Sequence, residues 1–533
     1  MALSISIVEV LENIMRYMTP ASLSRAMLVN RLWSKVARTI RNYHHIWTYS
    51  HHLPLENQLL LQSFILQRKI HRLRLNLDSS LYSNHPISIQ LLCNGKHPAF
   101  LTELILHIQS IPPSLFYPLF AAHATTLQAL EIKVSDYCEL DLIQTLDTLP
   151  NLRSLVLSHI HWNATFPRPG IKFTGYTLEN TNGWYQNAYV PTDSTIDWIN
   201  DPKRQYPNLQ SLELRSVTAR QFIPELLKKS PNLKSIRLMQ VQAEVLSVWM
   251  KSIKQFNPHV REIGASGTGV TVTHEYMSWI LHSYQHVEVI EWPTAQFVPA
   301  TFTRFPRLCP FLKELDLSEV TFTDATNSAL FTMLCEPMPY LRRLVAPLAT
   351  INIQYALDNE KSGAFWQCRR LETLFVGFEC SLTQGDNTAG LNEHCSSVGA
   401  KDSHNCEFSG ALFRYLAKYC PRLMYLRSSI KPQICLGPTG LKQLMGLQEL
   451  EEIDLYVNRL DTVKESDIQW LQHESVHAFD ERYGDAEGAG YYWPRLETIR
   501  ITAKHHSISQ EWSQWIDNLS LRFAFILQDL VEL

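Results

Sequence analysis

The chain of 533 residues has no charge of either sign to spare: 48 lysines and arginines face 51 aspartates and glutamates, a formal net charge of −3. That balance leaves no basic excess for nucleic acid and no polybasic run for a membrane surface. Long apolar runs are missing too, since none reaches the roughly 18 residues that suggest a membrane-spanning helix. The first residues lack a basic stretch, and Glu9 and Glu12 interrupt their apolar pattern, so no signal peptide is expected. The two N-x-S/T matches, at Asn163 and Asn518, then read as chance. The ten cysteines show no disulfide-framework spacing and no C-x-x-C pair, as expected of reduced, mostly buried thiols. No phosphate-binding lysine loop, nucleophile elbow or paired-carboxylate context appears. These absences point to a cytoplasmic and/or nuclear protein that is not an enzyme, calls for no cofactor or metal, and binds neither nucleic acid nor membrane. At 45% hydrophobic and 19% charged residues, the chain is expected to fold.

What the chain does have is a frame, L-x-x-L-x-L, repeated about fourteen times. Clear copies begin at Leu152, Leu209, Leu233, Leu312, Leu450 and Leu496, and weaker ones at Ile70, Leu101, Leu127, Val260, Val287, Leu341, Leu371 and Leu423. Most starts lie 24 to 31 residues apart. In eight units a proline stands two residues before the first apolar position: Pro150, Pro207, Pro231, Pro258, Pro310, Pro339, Pro421 and Pro494. Proline ends a helix and pushes its predecessor toward extended geometry, so each unit reads as helix, stop, short strand. A fixed period of this length is the signature of leucine-rich repeats. Segments such as Lys229–Leu238 and Leu416–Leu426 resemble the cysteine- and proline-containing subclass found behind F-boxes. The expected fold class is α/β, a leucine-rich-repeat solenoid (a horseshoe with a parallel sheet inside and helices outside) preceded by a small all-α F-box-like helical domain. Residues Glu511 to Leu533 are expected to cap the last repeat.

Residues 5 to 47 break from the frame. Ile7, Val10, Leu11, Ile14, Met15 and Met18 fall at helical spacing, Thr19-Pro20 interrupts, and Leu23, Met27 and Leu28 open a second helix before a third over Lys35 to Arg41. Val10-Leu11, Ile14-Met15-x-Tyr17-Met18, Ser22-Leu23, Val29-Asn30-Arg31-x-Trp33 and Trp47 resemble the F-box pattern. Three departures stand beside these matches: Val8 takes the place of the opening proline, one residue is missing before Val10, and Asn30 replaces a cysteine. The expected organisation is an F-box-like domain at 1–48, a helical connector at 49–69 and repeats at 70–533, with inserts near 160–207, 379–410 and 457–494. The resemblance implies the substrate-recognition subunit of an SCF-type ubiquitin ligase. Val10, Leu11, Ile14, Met15, Leu23, Val29 and Trp33 would dock a Skp-family adaptor and through it a cullin. The repeats would hold a target protein whose identity the sequence does not give. An interaction scaffold with no ubiquitin link is the alternative.

Within L-x-x-L-x-L-x, the third, fifth and seventh positions alternate with the buried ones and should line the exposed face of the sheet. In the middle of the chain these positions hold Glu262, Glu291, Glu314 and Asp316, an acidic patch beside Arg237 and Arg343. Together with Trp184 and Tyr185 of the aromatic first insert, these four carboxylates are the expected target-binding residues, suited to a basic or mixed-charge segment. Three other patterns carry less. His473-Glu474-Ser475-Val476-His477 has the spacing of a zinc hydrolase, but Asp480 stands where the extended motif has glycine. Cys380, His394, Cys395, His404 and Cys406 lack the paired spacing of zinc ligands. Gly264 to Gly269 lacks the G-x-G-x-x-G spacing of a dinucleotide loop and reads as a turn after a repeat strand.

Overall fold

The computed structural model describes residues 11, 15, 25–43, 46–50, 71–77, 101–108, 113–140, 142–162, 201–215, 223–239, 243–266, 274–292, 297–379, 400–431, 440–457, 495–504 and 524–530. They belong to two compact units, residues 1–260 and 261–533.

In the first unit, β1 (Ile46–Ser50), β2 (Arg72–Leu77), β3 (Glu103–Ile108), β4 (Ala129–Leu140), β5 (Ser154–Trp162), β6 (Ser211–Arg215) and β7 (Ser235–Met239) lie side by side in sequence order. Every pairing is parallel. Parallel neighbours need a crossover, and the helices Pro113–Ala122, Leu142–Thr148 and Ile223–Lys229 lie in three of these connections. The frame's apolar positions are the interior: Leu152, Leu155, Leu157, Leu209, Leu212 and Leu214 are each at most 2% exposed. Full burial of one such side chain stabilises the fold by about 1.5–3 kcal/mol. Trp47, expected to close the helical N-terminal unit, lies instead in β1 opposite Leu73, so the sheet begins one strand before the frame does.

The proline stops have a partner that spacing alone does not reveal. Asn208 Nδ2 donates to the Pro150 carbonyl at 3.0 Å, and Asn232 Nδ2 donates to the Pro207 carbonyl at 2.8 Å. Asn151 reaches the Thr125 carbonyl at 2.9 Å in the same way. Each asparagine stands just before the first leucine of its own repeat and ties it to the equivalent turn one repeat back.

The second unit runs β8 (Glu262–Ser266), β9 (Val289–Glu291), β10 (Glu314–Asp316), β11 (Arg343–Asn352), β12 (Thr373–Glu379), β13 (Tyr425–Lys431), β14 (Glu452–Val457), β15 (Thr498–Lys504) and β16 (Ala524–Leu530), again parallel and in sequence order. The helix Asp324–Cys335, whose Thr323 and Thr326 form a capping box, and the helices Ile353–Lys361 and Ala400–Tyr419 lie in the connections. The last of these starts inside the expected insert at 379–410. The expected C-terminal cap contains β16, paired in register with β15 from Ala524 to Leu530. Behind the strands the core is aromatic: Trp292 and Trp366 are fully buried, and the rings of Phe297, Phe302 and Phe305 lie 5.2–6.2 Å apart. Burial pushes the thiols of Cys309 and Cys368 up to about 12.

Just before the first apolar position, where these three repeats of the first unit have asparagine, three repeats of the second have rings. His286 and Phe311 lie 5.8 Å apart, Phe311 and Tyr340 5.9 Å, and the Arg370 guanidinium sits 5.7 Å over Tyr340. Beside this ladder, Glu288 accepts from Lys313 at 2.5 Å and from Arg261 at 3.0 Å. The Lys313 bond above all holds the Glu288 carboxyl below its usual range.

One strand departs from the regular ladder. The β11–β12 register skips from Ala346 to Thr350, so Pro347, Leu348 and Ala349 bulge out. Burial alternates across Leu348, Ala349, Thr350 and Ile351, which puts Leu348, 55% exposed, on the open face of the sheet. Gly377 makes the bulge possible: a Cβ there would meet Ser429 Oγ at 2.7 Å and the Ala349 carbonyl oxygen at 2.8 Å.

Candidate functional site

Two surfaces follow from this architecture. The first is at the N-terminus. Leu11, Met15, Ala26, Val36 and Ala37 form a buried cluster, with Met27 and Trp33 packed against it. The helix Arg31–Tyr43 closes that cluster, and Asn30 starts it: its Oδ1 accepts from the Trp33 amide at 2.9 Å. The asparagine that departs from the F-box pattern is thus a helix N-cap. Around it lies an apolar surface with no cover among the described residues: Leu28 is 85% exposed, Val29 59% and Leu32 38%. Of the residues expected to contact an adaptor, Val29 is on this surface, and Trp33 is half-buried against the cluster. Leu11 and Met15 are inside, where their side chains hold the helices together. Val10, Ile14 and Leu23 lie outside the described residues.

The second surface is the open face of the sheet in the second unit. Strand pairing brings the frame's fifth positions into one row: Gly264, Glu291, Asp316, Val345, Phe375, Arg427, Asp454 and Arg500. The third positions form a parallel row with Glu262, Glu314, Arg343 and Tyr425. The four expected carboxylates therefore do gather on β8 to β10. Arg343 answers part of that charge, donating to Asp316 Oδ2 at 3.2 Å and standing 3.9 Å from Glu314.

Farther along the same row lies a group that sequence reasoning missed. The Arg427 guanidinium is held between two rings, 4.8 Å from the Phe375 centroid and 5.3 Å from that of Tyr456. It donates to the Tyr456 hydroxyl and pairs with Asp454 Oδ2 at 3.1 Å, which also takes Arg500 at 3.5 Å. The Asp454 side chain is only 4% exposed, and its Oδ1 is a buried acceptor with no donor among the described residues. Tyr425 donates to Glu451 at 2.5 Å, and that bond, with burial, pushes its hydroxyl up to about 12. The signal was present, since Phe375, Arg427, Asp454 and Arg500 occupy the same frame position as Glu291 and Asp316. What the sequence does not give is the side-chain bonding that turns a row of positions into a rigid aromatic–arginine group.

Trp184 and Tyr185, the His473–His477 motif, Cys380, His394 and Cys395 lie outside the described residues. His404 and Cys406 fall on the helix Ala400–Tyr419, and Gly264 belongs to β8. Among the described residues no group of three histidine, cysteine or acidic side chains is placed to hold a metal ion, and no helix is long and apolar enough to cross a membrane.

Comparison with known proteins places the N-terminal surface. The F-box domain family matches residues 8–45. No curated protein matches the chain. Among solved structures the chain is similar to an internalin from Listeria monocytogenes, at 12% identity, over 64% of this chain and 75% of that one, with a TM-score of 0.31. The helical cluster with its exposed Leu28 and Val29 falls within the matched residues, and the strands of the repeat frame follow it: this is a protein with an F-box domain at residues 8–45 ahead of a leucine-rich-repeat solenoid.

Proposed function

We propose that the chain is the substrate-recognition subunit of an SCF-type ubiquitin ligase. Its F-box domain docks a Skp-family adaptor and, through it, a cullin, and its repeats hold a target protein. The observation that carries this reading is the exposed trio Leu28, Val29 and Leu32 on a packed helical core within the residues matching the F-box family. Among the described residues nothing covers those side chains, which leaves them for a partner, and large apolar anchors dominate such interfaces. Leu11 and Met15 hold the helical cluster together, and the half-buried Trp33 joins the proposed contact. Val10, Ile14 and Leu23 belong to the same proposed contact. The subunit supplies proximity and orientation to chemistry done elsewhere in the complex, which calls for no catalytic residue of its own.

The test is co-purification with a Skp-family adaptor. Leu28→Asp with Val29→Asp changes exposed positions only, so the helical cluster should keep its circular dichroism while adaptor capture falls at least tenfold. Failure of the unaltered chain to bind any Skp-family adaptor would overturn the reading and leave a repeat scaffold with no ubiquitin link. For the target, the acidic group Glu262, Glu291, Glu314 and Asp316 is the proposed contact, joined by Trp184 and Tyr185 of the first insert.

A further inference from the structure

The open face of the second unit changes character along its length. At β9 and β10 it presents Glu291, Glu314 and Asp316. Across β11 to β14 it presents Leu348, Phe375, Arg427 and Tyr456. The two regions need different things from a ligand. Glu291 and Asp316 are register partners on adjacent strands, whose backbones lie about 5 Å apart, and like charge so close favours cations beyond the one that Arg343 supplies to Asp316. Glu314 keeps a side-chain exposure of 44% despite its long contact with Arg343, so it remains open to a partner. The aromatic–arginine group favours an apolar or aromatic side chain. Leu348 stands free on its bulge, and Arg427 is already fixed between its rings, so little freedom is lost when a partner packs against it. Aromatic residues and arginine are the side chains that most often dominate binding energy.

We propose that this face binds one extended target segment, crossing the strands, with basic residues at one end over Glu291, Glu314 and Asp316 and an apolar or aromatic anchor at the other against Leu348, Phe375 and Tyr456. The proposal rests on the reading that the repeats hold a target, and it fixes the chemistry and spacing of what they hold. From Glu314 and Asp316 on β10 to Tyr456 on β14 is four strand spacings, about 19 Å, which an extended chain covers in about six residues. The anchor thus sits about six residues from the cations. Charge sets the encounter rate and the apolar anchor sets the residence time.

The probe is a labelled eight-residue peptide with two arginines, a four-residue glycine–serine spacer and a terminal tryptophan–leucine pair, titrated against the full chain by fluorescence anisotropy at low and high salt. It should bind at least tenfold more tightly than two controls, one with glutamates for the arginines and one with glycine–serine for the anchor. Glu314→Lys, at an exposed position, should slow association and flatten the salt dependence, whereas Phe375→Ala should speed dissociation. A probe that binds no better than its glutamate control, or that binds both variants as it binds the unaltered chain, overturns the inference. Adaptor capture is measured on the same samples. Its loss with peptide binding intact counts against the ligase reading alone, and its retention with no peptide binding counts against this inference alone.

Discussion

Gly377→Ala is the sharpest single test of the architecture, because one methyl group meets the β11 bulge directly. Gly377 is buried on β12 and pairs with Thr350, where the register resumes after the bulge. The new Cβ would lie 2.7 Å from Ser429 Oγ and 2.8 Å from the Ala349 carbonyl oxygen, whereas ordinary contacts begin at 3.4 Å. Ser429 Oγ must therefore yield by about 0.7 Å and the Ala349 oxygen by about 0.6 Å. Ser429 can answer by turning its hydroxyl, at small cost. The Ala349 carbonyl is backbone inside the bulge, and it moves only if Pro347–Ala349 moves with it. Overpacking of this kind costs about 1–3 kcal/mol, and the backbone contact puts the expected loss above about 1 kcal/mol. Urea unfolding gives the total. Hydrogen exchange of peptides covering residues 343–352 and 371–379 gives the location, with faster exchange expected there and unchanged exchange in the first unit. The double change Gly377→Ala, Ser429→Ala should recover only the hydroxyl's share. Unaltered stability for Gly377→Ala, or full recovery in the double change, would mean that the bulge does not press on Gly377 and that Leu348 is not held where the structure places it.

Two further changes probe the core and the ion pairs. Leu317→Ala should cost on the order of 2–5 kcal/mol, because Leu317 is fully buried and its removal leaves a cavity; a loss below about 0.5 kcal/mol in urea unfolding, the range of surface substitutions, would mean the frame's sixth position is not interior. Lys313→Ala should raise the Glu288 carboxyl toward its ordinary value, since the Lys313 bond is the largest cause of its depression, and carbon-detected NMR titration reads that directly. Because the folded-state value is depressed, the stabilisation is present above the unfolded carboxylate value of about 4.3 and is lost as pH falls through the folded value. The variant should therefore be weaker near neutrality, by no more than about 1 kcal/mol for so open a pair, and the difference should vanish in acid.

Much of the fold was legible because one short frame encodes both strand and core. Positions one, four and six of Leu209–Leu214 are buried by the same alternation that puts Glu213 on the open face. The acidic group was legible for the same reason, since its members take the third and fifth positions of three successive repeats. The parts that were not legible depend on contacts between residues far apart in sequence. Trp47 looked like the end of a helical unit, and only pairing with Leu73 makes it a strand residue. Leu11 and Met15 looked like contact residues, because helical periodicity marks an apolar face without saying whether another helix already covers it. The aromatic–arginine group was hidden because Phe375, Arg427 and Tyr456 lie in three different repeats, and their register is set by the sheet.

In three repeats of the first unit the residue before the frame is asparagine and in three of the second it is a ring, and this bears on how those repeats can be rearranged. Asn151, Asn208 and Asn232 each need a carbonyl at one place in the preceding repeat, whereas His286, Phe311 and Tyr340 each need a flat neighbour. The two linkages do not mate. A repeat moved from one series into the other would offer an amide to a ring on one side and a ring to a carbonyl on the other, and would lose both attachments at once. Duplication or deletion of a repeat is therefore expected to be tolerated within either series of three and not between them, although every one of these repeats carries the same leucines.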